Sequence, residues 1–131
     1  MSLKFPPVRP GSGGARNCPV RDVLDCIGGR WSLLTLVVLS EGTLRFSCLK
    51  RAIGDVSQRM LAQTLRVLER DGYVLRTVHP TVPPQVDYRL TALGRSLLEK
   101  VEPLILWAGE NHQHVRKARN AYTPPPPINA L

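Results

Sequence analysis

The chain has 131 residues, enough for one compact domain and too few for a large multidomain enzyme. Lys and Arg number 18 against 10 Asp and Glu, a formal net charge of +8, and 14 of the 18 cations are Arg. This excess favours a polyanionic partner, because guanidinium groups donate in pairs to phosphates and base edges. Nucleic acid is therefore the first partner that the composition indicates.

Apolar runs and cysteines limit the compartment and the chemistry. The longest apolar run, residues 33–39, is far short of the roughly 18 residues that suggest a membrane span. Residues 1–17 contain no apolar signal-peptide core, so we expect a cytoplasmic protein. Because Cys18, Cys26 and Cys48 show neither CxxC spacing nor a matching His pair, we expect free thiols, no metal site and no cofactor.

Both ends of the chain differ in composition from its middle. Residues 1–17 are rich in Pro and Gly, and residues 123–131 contain four successive prolines. Neither segment has the periodic apolar positions that packing requires, so both are predicted to be flexible tails. One domain is left, at residues 18–122.

The first half of this domain is predicted to be mostly helical. A helix begins at Pro19 and ends at the Gly28-Gly29 pair. A second, over residues 30–41, is apolar on nearly all sides and is therefore expected at the centre of the core. Residues 43–45 are compatible with a short strand, and residues 46–53 with a third helix.

The fourth predicted helix has two unlike sides. It begins after Ser57, a good N-cap, and ends at Asp71-Gly72. Its length of roughly 21 Å suits a DNA major groove, and Arg and Gln are the residue types that pair bidentately with guanine and adenine. One side carries Leu61, Leu65 and Leu68, and the opposite side carries Arg59, Gln63, Arg66 and Arg70, with Ser57 and Gln58 at the positive end where phosphate binds.

A hairpin and a long helix complete the predicted order. Residues 73–79 and 85–91 alternate between apolar and polar side chains around a proline-containing turn. Apolar residues then recur at helical spacing from Thr91 onward, and Pro103 is expected to bend or divide this last helix. The fold class is therefore mainly α with a small β-hairpin wing, in the order of a winged helix-turn-helix.

Basic residues surround the fourth helix. Six of them, Lys50 included, lie between residues 45 and 70 against two acidic residues, so this surface is predicted to contact DNA. The turn would then be the wing, with Pro83, Pro84 and Gln85 against backbone or minor groove. Its charge is low, and the alternative is a rigid hairpin loop.

Several motifs occur in a fixed order from Cys18 to about Ala108. They are Cys18-Pro-Val-Arg-Asp-Val-Leu-Asp-Cys-Ile-Gly-Gly-Arg-Trp31, Leu44-Arg-Phe-Ser47, Val56-Ser-Gln-Arg-Met-Leu-Ala-Gln-Thr-Leu65, Asp71-Gly-Tyr-Val74, Val82-Pro-Pro-Gln-Val-Asp-Tyr-Arg-Leu-Thr91 and Leu93-Gly-Arg-Ser96. Together they resemble the HxlR-type bacterial transcription regulators, which are winged helix-turn-helix proteins allied to the MarR regulators.

The resemblance implies a homodimer whose first and last helices form the interface and whose fourth helices enter successive major grooves of a palindromic operator. By position it assigns DNA reading to Ser57, Gln58, Arg59, Gln63 and Arg66, and the wing to Pro83, Pro84 and Gln85. Two residues depart from the family pattern: Gln85 stands where Lys or Arg is frequent, and Cys48 where Glu is common. The long apolar stripe on the last helix independently favours a dimer, although packing within one chain is the alternative.

Cys18 precedes Pro19 at the start of the first helix, where free amides, the helix dipole and Arg21 favour a thiolate. Several regulators of the resembling family sense oxidants or electrophiles through a cysteine at this position. Cys18 is therefore a candidate redox sensor, the alternative being an inert, partly buried thiol. Cys26 follows the apolar face and is predicted to lie in the core.

Two other classes of function compete with this interpretation. An enzyme is disfavoured because the sequence has no nucleophile elbow, Gly-rich phosphate loop or metal-spaced cluster. A winged-helix module that binds protein rather than DNA would need an apolar or acidic outer face on the fourth helix. The sequence thus predicts a DNA-binding transcriptional regulator, with repression the commoner outcome when a small dimer covers a promoter.

Overall fold

The computed structural model describes residues 18–128. The predicted tail 1–17 and residues 129–131 lie outside this range. Within it, the chain order is α1 (Pro19–Ile27), α2 (Ser32–Leu39), β1 (Leu44–Arg45), α3 (Phe46–Ile53), α4 (Gln58–Arg70), β2 (Val74–His79), β3 (Gln85–Leu90) and α5 (Ala92–Ala121). This order confirms the predicted mainly α fold of the winged helix-turn-helix type.

The first compact unit, which ends at Leu98, contains a core built from every one of its helices. Leu36 and Leu39 of α2 have no exposed surface and lie among α1, α3, α4 and β3. The other buried members include Leu49, Leu61, Leu65, Leu68, Val74, Leu90 and Leu98. Burial of these apolar side chains is the main stabilising contribution to the unit.

The sequence prediction for α2 needs correction. The helix has 8 residues instead of the 12 between 30 and 41, and it is not covered on all sides. Leu34 is 47% exposed and Val37 is also exposed within this chain. Because the neighbouring elements cover only the side that carries Leu36 and Leu39, the opposite apolar side remains accessible.

The sheet has three antiparallel strands in the order β1-β3-β2. The short strand expected near residue 44 does form, with Leu44 opposite Tyr88. In the hairpin, Val74 pairs with Leu90 and His79 pairs with Gln85. Val74 and Leu90 are buried at one end, so the wing turn between His79 and Gln85 lies at the other.

The residues predicted to cap the two ends of α4 do so in the structure. The Ser57 hydroxyl accepts a hydrogen bond of 3.1 Å from the Met60 amide, the usual N-cap geometry. At the other end Gly72 adopts a φ of +83°, and the amides of Gly72 and Tyr73 donate to the carbonyls of Glu69 and Leu68. These two bonds form a Schellman motif, which requires a residue in the left-handed region and so favours Gly.

The start of α5 is fixed to the turn after α4. The Thr91 hydroxyl donates to the Gly72 carbonyl at 2.6 Å and accepts from the Gly94 amide at 3.0 Å. The Thr91 amide donates to the Tyr73 carbonyl at 3.1 Å. A side chain at Gly94 would overlap that same carbonyl oxygen, so the close approach needs Gly.

The second compact unit begins at Glu99 and consists of the rest of α5 and the segment after it. α5 continues through Pro103, so of the two predicted outcomes the helix is not divided at this residue, and its bending there stays a prediction. A proline removes one intrahelical hydrogen bond, and the flanking turns retain theirs.

Residues 123–128, part of the predicted tail 123–131, are exposed and outside helices and strands. No helix among residues 18–128 is long and apolar enough to cross a membrane.

Candidate nucleic-acid interface

The outer side of α4 is a row of exposed polar side chains. Arg59, Gln63 and Arg66 project from it, and Gln58 lies exposed in its first turn. The opposite side is buried through Leu61, Thr64, Leu65 and Leu68. Since the apolar side is held in the core, the polar row is presented on a rigid helix of 13 residues.

Ser57 caps the N-terminus of α4, the positive end of the helix dipole. Its hydroxyl is already bound to the Met60 amide, while the first two amides of the helix, those of Gln58 and Arg59, have no intrahelical acceptor. These free amides and the helix dipole make the end of α4 suited to an anion. The side chain of Ser57 therefore orders the end at which the sequence predicts phosphate binding.

Arg70 differs from the other members of the row. Its Nε donates to Asp71 Oδ1 at 3.0 Å and its Nη2 donates to Oδ2 at 3.3 Å. The hydrogen bond and the charge of Asp71 raise the pKa of Arg70 above its ordinary value. The Arg70 side chain is thus paired with Asp71 at the end of α4. The row of side chains available to a partner is therefore Arg59, Gln63 and Arg66, one residue shorter than the helical wheel predicts.

The basic residue of α3 predicted to contact DNA, Lys50, is less exposed than the α4 row. Lys50 is half-buried in the last turn of α3, and its carbonyl accepts from the Gly54 amide at 2.9 Å. Within residues 18–128, no hydrogen bond or ion pair joins Lys50 to α4. Its part in a DNA contact stays a prediction.

The tip of the wing is exposed and largely apolar. Pro83 and Pro84 are exposed, together with a fully exposed Val82. Gln85 is half-buried, and its amide donates to Asp87 Oδ1 at 3.3 Å. The side chain of Gln85 is therefore occupied within the hairpin, whereas the two prolines are exposed, and their contact with DNA stays a prediction.

Asp87 is the centre of a polar cluster that was not singled out from the sequence. His79 Nε2 lies 2.7 Å from Asp87 Oδ2, and Arg45 stands opposite Asp87 on β1. The hydrogen bond from Gln85 lowers the pKa of the Asp87 carboxyl below its ordinary value of 3.8, and His79 and Arg45 add to this against an opposing effect of burial. The pairing register of the hairpin would have predicted this cluster, because it places residues 79, 85 and 87 on one face of the sheet.

The three cysteines occupy different environments, and all are free. Cys18 is the N-cap of α1 and is partly exposed, and its carbonyl accepts from the Asp22 amide at 3.0 Å. Cys26 is only 6% exposed, as predicted for a core residue, and burial raises its pKa above the ordinary 9.0, with a further increase from Asp71. Cys48 is half-buried and lines a cavity of about 510 Å³ with residues of α2 and β1.

Comparison with known proteins identifies the family. The model of the HxlR-like helix-turn-helix family matches residues 26–116. An HTH-type transcriptional regulator of Escherichia coli (strain K12), YtfH, is 49% identical over 106 residues, which cover 81% of this chain and 84% of that protein.

Solved structures give the same assignment. The transcriptional regulator YtfH from Salmonella typhimurium is 45% identical with a TM-score of 0.72, covering 84% of this chain and 98% of that one. The redox regulator HypR in its oxidized form is 41% identical with a TM-score of 0.66, covering 72% and 97%. The chain therefore belongs to the HxlR-like helix-turn-helix family of transcriptional regulators.

Proposed function

We propose that the chain is a sequence-specific DNA-binding repressor that acts as a homodimer on a palindromic operator. The observation that carries the proposal is the outer side of α4, where Arg59, Gln63 and Arg66 project from a helix whose other side is fixed in the core. A helix of 13 residues is about 20 Å long at roughly 1.5 Å per residue and fits a major groove. In this proposal the chain binds DNA in the cytoplasm and has no catalytic role.

A second copy of the chain would account for apolar side chains that remain exposed. Leu104, Leu106 and Trp107 of the second unit and Leu24 of α1 are each more than half exposed. Leu104 and Trp107 are three residues apart and so share one side of α5, and a group of exposed apolar side chains such as this is typical of an interface. A two-fold axis would place the two α4 helices about 34 Å apart, one turn of DNA, so that both enter the same side of the duplex.

Oxidation of Cys18 would connect this binding to a signal. The thiol is partly exposed at the N-cap of α1, one of the two helices assigned to the dimer interface. Attack of its thiolate on a hydroperoxide breaks the O–O bond, forms a sulfenic acid and releases an alkoxide or hydroxide, which takes up a proton from water. The similarity to HypR, a redox regulator, supports a redox signal, and Cys18 is the thiol proposed to receive it.

Mobility-shift titration tests the DNA-binding proposal directly. Duplexes selected by the protein from a randomised pool are compared with scrambled duplexes of the same composition. Arg59→Ala and Gln63→Ala should each reduce the preference for the selected duplex by about 1 to 3 kcal/mol per helix. Arg95→Ala removes another exposed arginine, in the first turn of α5, and is the control for the loss of one charge.

The outcomes separate the alternatives. If the wild-type protein binds both duplexes equally, or if Arg59→Ala and Arg95→Ala behave alike, α4 does not read sequence. A winged-helix module that binds another protein would then be the better interpretation. The redox proposal is tested separately: oxidation of Cys18, confirmed by mass spectrometry, should change the affinity of the wild type but not that of Cys18→Ser.

A further inference from the structure

A groove of about 420 Å³ separates α4 from the sheet, and two arginines line it. Arg66 comes from the third turn of α4, and Arg76 from the middle of β2. Ala62, Leu65, Glu69 and Tyr88 complete the lining. The sequence pattern indicated base reading for Arg66 and gave no role to Arg76.

The strand register explains why Arg76 faces α4. Arg76 lies opposite Tyr88, and it is two residues from Val74, whose side chain is buried in the core that α4 shares. Alternate residues of a strand share one face, so Arg76 projects on the α4 side of the sheet. Arg89, the residue after Tyr88, lies on the opposite face.

Both guanidinium groups are available for a partner. Arg66 and Arg76 are exposed, and the ion pairs within 4.0 Å among residues 18–128 involve other residues, Arg70 with Asp71 and His79 with Asp87. Glu69 supplies one carboxylate against the two cations of the groove. The groove therefore keeps a positive balance that suits an anion.

We propose that this groove holds a backbone phosphate of duplex DNA, clamped between Arg66 and Arg76. The inference rests on the proposed function. With α4 in the major groove and the wing at the neighbouring minor groove, one sugar-phosphate strand has to pass between them. The groove between α4 and the sheet is the space through which that strand passes.

The clamp gives Arg66 a different role from Arg59 and Gln63. Contacts to phosphate set the register of a protein on the duplex and carry no sequence information, whereas contacts to base edges do. Arg66 and Arg76 therefore contribute affinity to every DNA sequence, and Arg59 and Gln63 contribute preference. The two roles are separable by experiment.

The salt dependence of binding tests the clamp. Dissociation constants are measured over a series of salt concentrations, on the selected and the scrambled duplex, each of about 30 base pairs so that two half-sites fit. Arg76→Ala and Arg66→Ala should each reduce the slope of log K against log salt by about 0.9 for every phosphate that the variant no longer neutralises. Affinity should fall by the same factor on both duplexes, which leaves the preference unchanged.

Arg89→Ala is the matched control, since it removes the same charge from an exposed position on the other face of the sheet. It should leave the slope near the wild-type value. Arg76→Lys should retain the slope, which a purely structural role of the guanidinium would not predict. Glu69→Gln should strengthen binding to both duplexes, because it removes the negative charge in the groove.

Failure of the clamp is distinguishable from failure of the proposed function. If wild type binds DNA but Arg76→Ala and Arg89→Ala give the same slope, the groove does not hold phosphate. If Arg66→Ala lost the preference for the selected over the scrambled duplex, Arg66 would contact base edges, and its assignment to the clamp would be wrong. If wild type binds neither duplex, the proposed function fails and the clamp fails with it.

Discussion

Ser57 offers a way to separate the stability of α4 from its proposed contact with DNA. Its hydroxyl accepts the Met60 amide at 3.1 Å, a bond that satisfies one of the free donors at the start of the helix. Ser57→Ala removes this acceptor and should lower the free energy of unfolding by about 1 kcal/mol, within the range of roughly 0.5 to 2 kcal/mol for lost N-caps. Ser57→Asp retains an acceptor, so its free energy of unfolding should be close to that of wild type.

The affinity for DNA should not follow the stability of the two variants, Ser57→Ala and Ser57→Asp. An aspartate at this position adds a negative charge where the free amides of α4 are proposed to meet phosphate. Two like charges about 4 Å apart repel by about 1 kcal/mol in water and about 4 kcal/mol at an effective dielectric constant of about 20. The smaller value corresponds to a roughly fivefold loss of affinity for each helix that contacts DNA. Ser57→Asp should thus be stable and weakly binding.

Urea unfolding and mobility-shift titration on the same preparations measure both quantities. If Ser57→Asp binds DNA as tightly as wild type, the start of α4 does not lie near the phosphate backbone. If Ser57→Ala is as stable as wild type, the hydroxyl does not cap the helix in solution. Either result would refute the corresponding step of the reasoning.

Three further predictions concern the scaffold and the thiols. Gly94→Ala would place a methyl group on the Tyr73 carbonyl and 3.2 Å from Leu90, so it should lower the free energy of unfolding by about 1 to 3 kcal/mol in urea. Asp87 has a lowered pKa in the folded state, so the stability that it contributes is present above its ordinary value of 3.8 and is lost as the pH falls through the folded value. The difference in urea midpoint between wild type and Asp87→Asn should accordingly be present at neutral pH and shrink below pH 3.8. Cys26 is buried with a raised pKa, so iodoacetamide at neutral pH should modify it more slowly than Cys18, as measured by mass spectrometry.

The two ends of α4 were predictable because their signals are local. Ser57 and Gly72 each act within one helical turn, and both fulfil in the structure the capping roles predicted from their residue types. The exposed side of α2 was not predictable in this way. The only polar residues of α2, Ser32 and Thr35, are buried and so do not mark its outer face, and the exposure of Leu34 depends on which other elements cover the helix.

The same distinction applies to the candidate interface. The row of Arg59, Gln63 and Arg66 follows from the helical period alone, because residues three and four apart share a side. Arg76 and Asp87 are different, since a strand residue faces α4 or turns away according to the register of the hairpin. A shift of one residue in that register would exchange the faces and remove both the groove and the polar cluster.

The relative position of α4 and the hairpin is determined away from every residue proposed to contact DNA. Gly72 ends α4, Tyr73 leads into β2, and the carbonyls of both accept hydrogen bonds from Thr91 at the end of β3. The close approach of Gly94 to Tyr73 adds a steric limit at the same place. Two grooves of one duplex can be contacted together only if the angle between helix and wing is held, so under the proposed function these bonds would preorganise the surface for DNA. A substitution at Thr91 should therefore weaken binding to selected and scrambled duplexes alike, as measured by mobility shift, although Thr91 is not among the residues proposed to contact DNA.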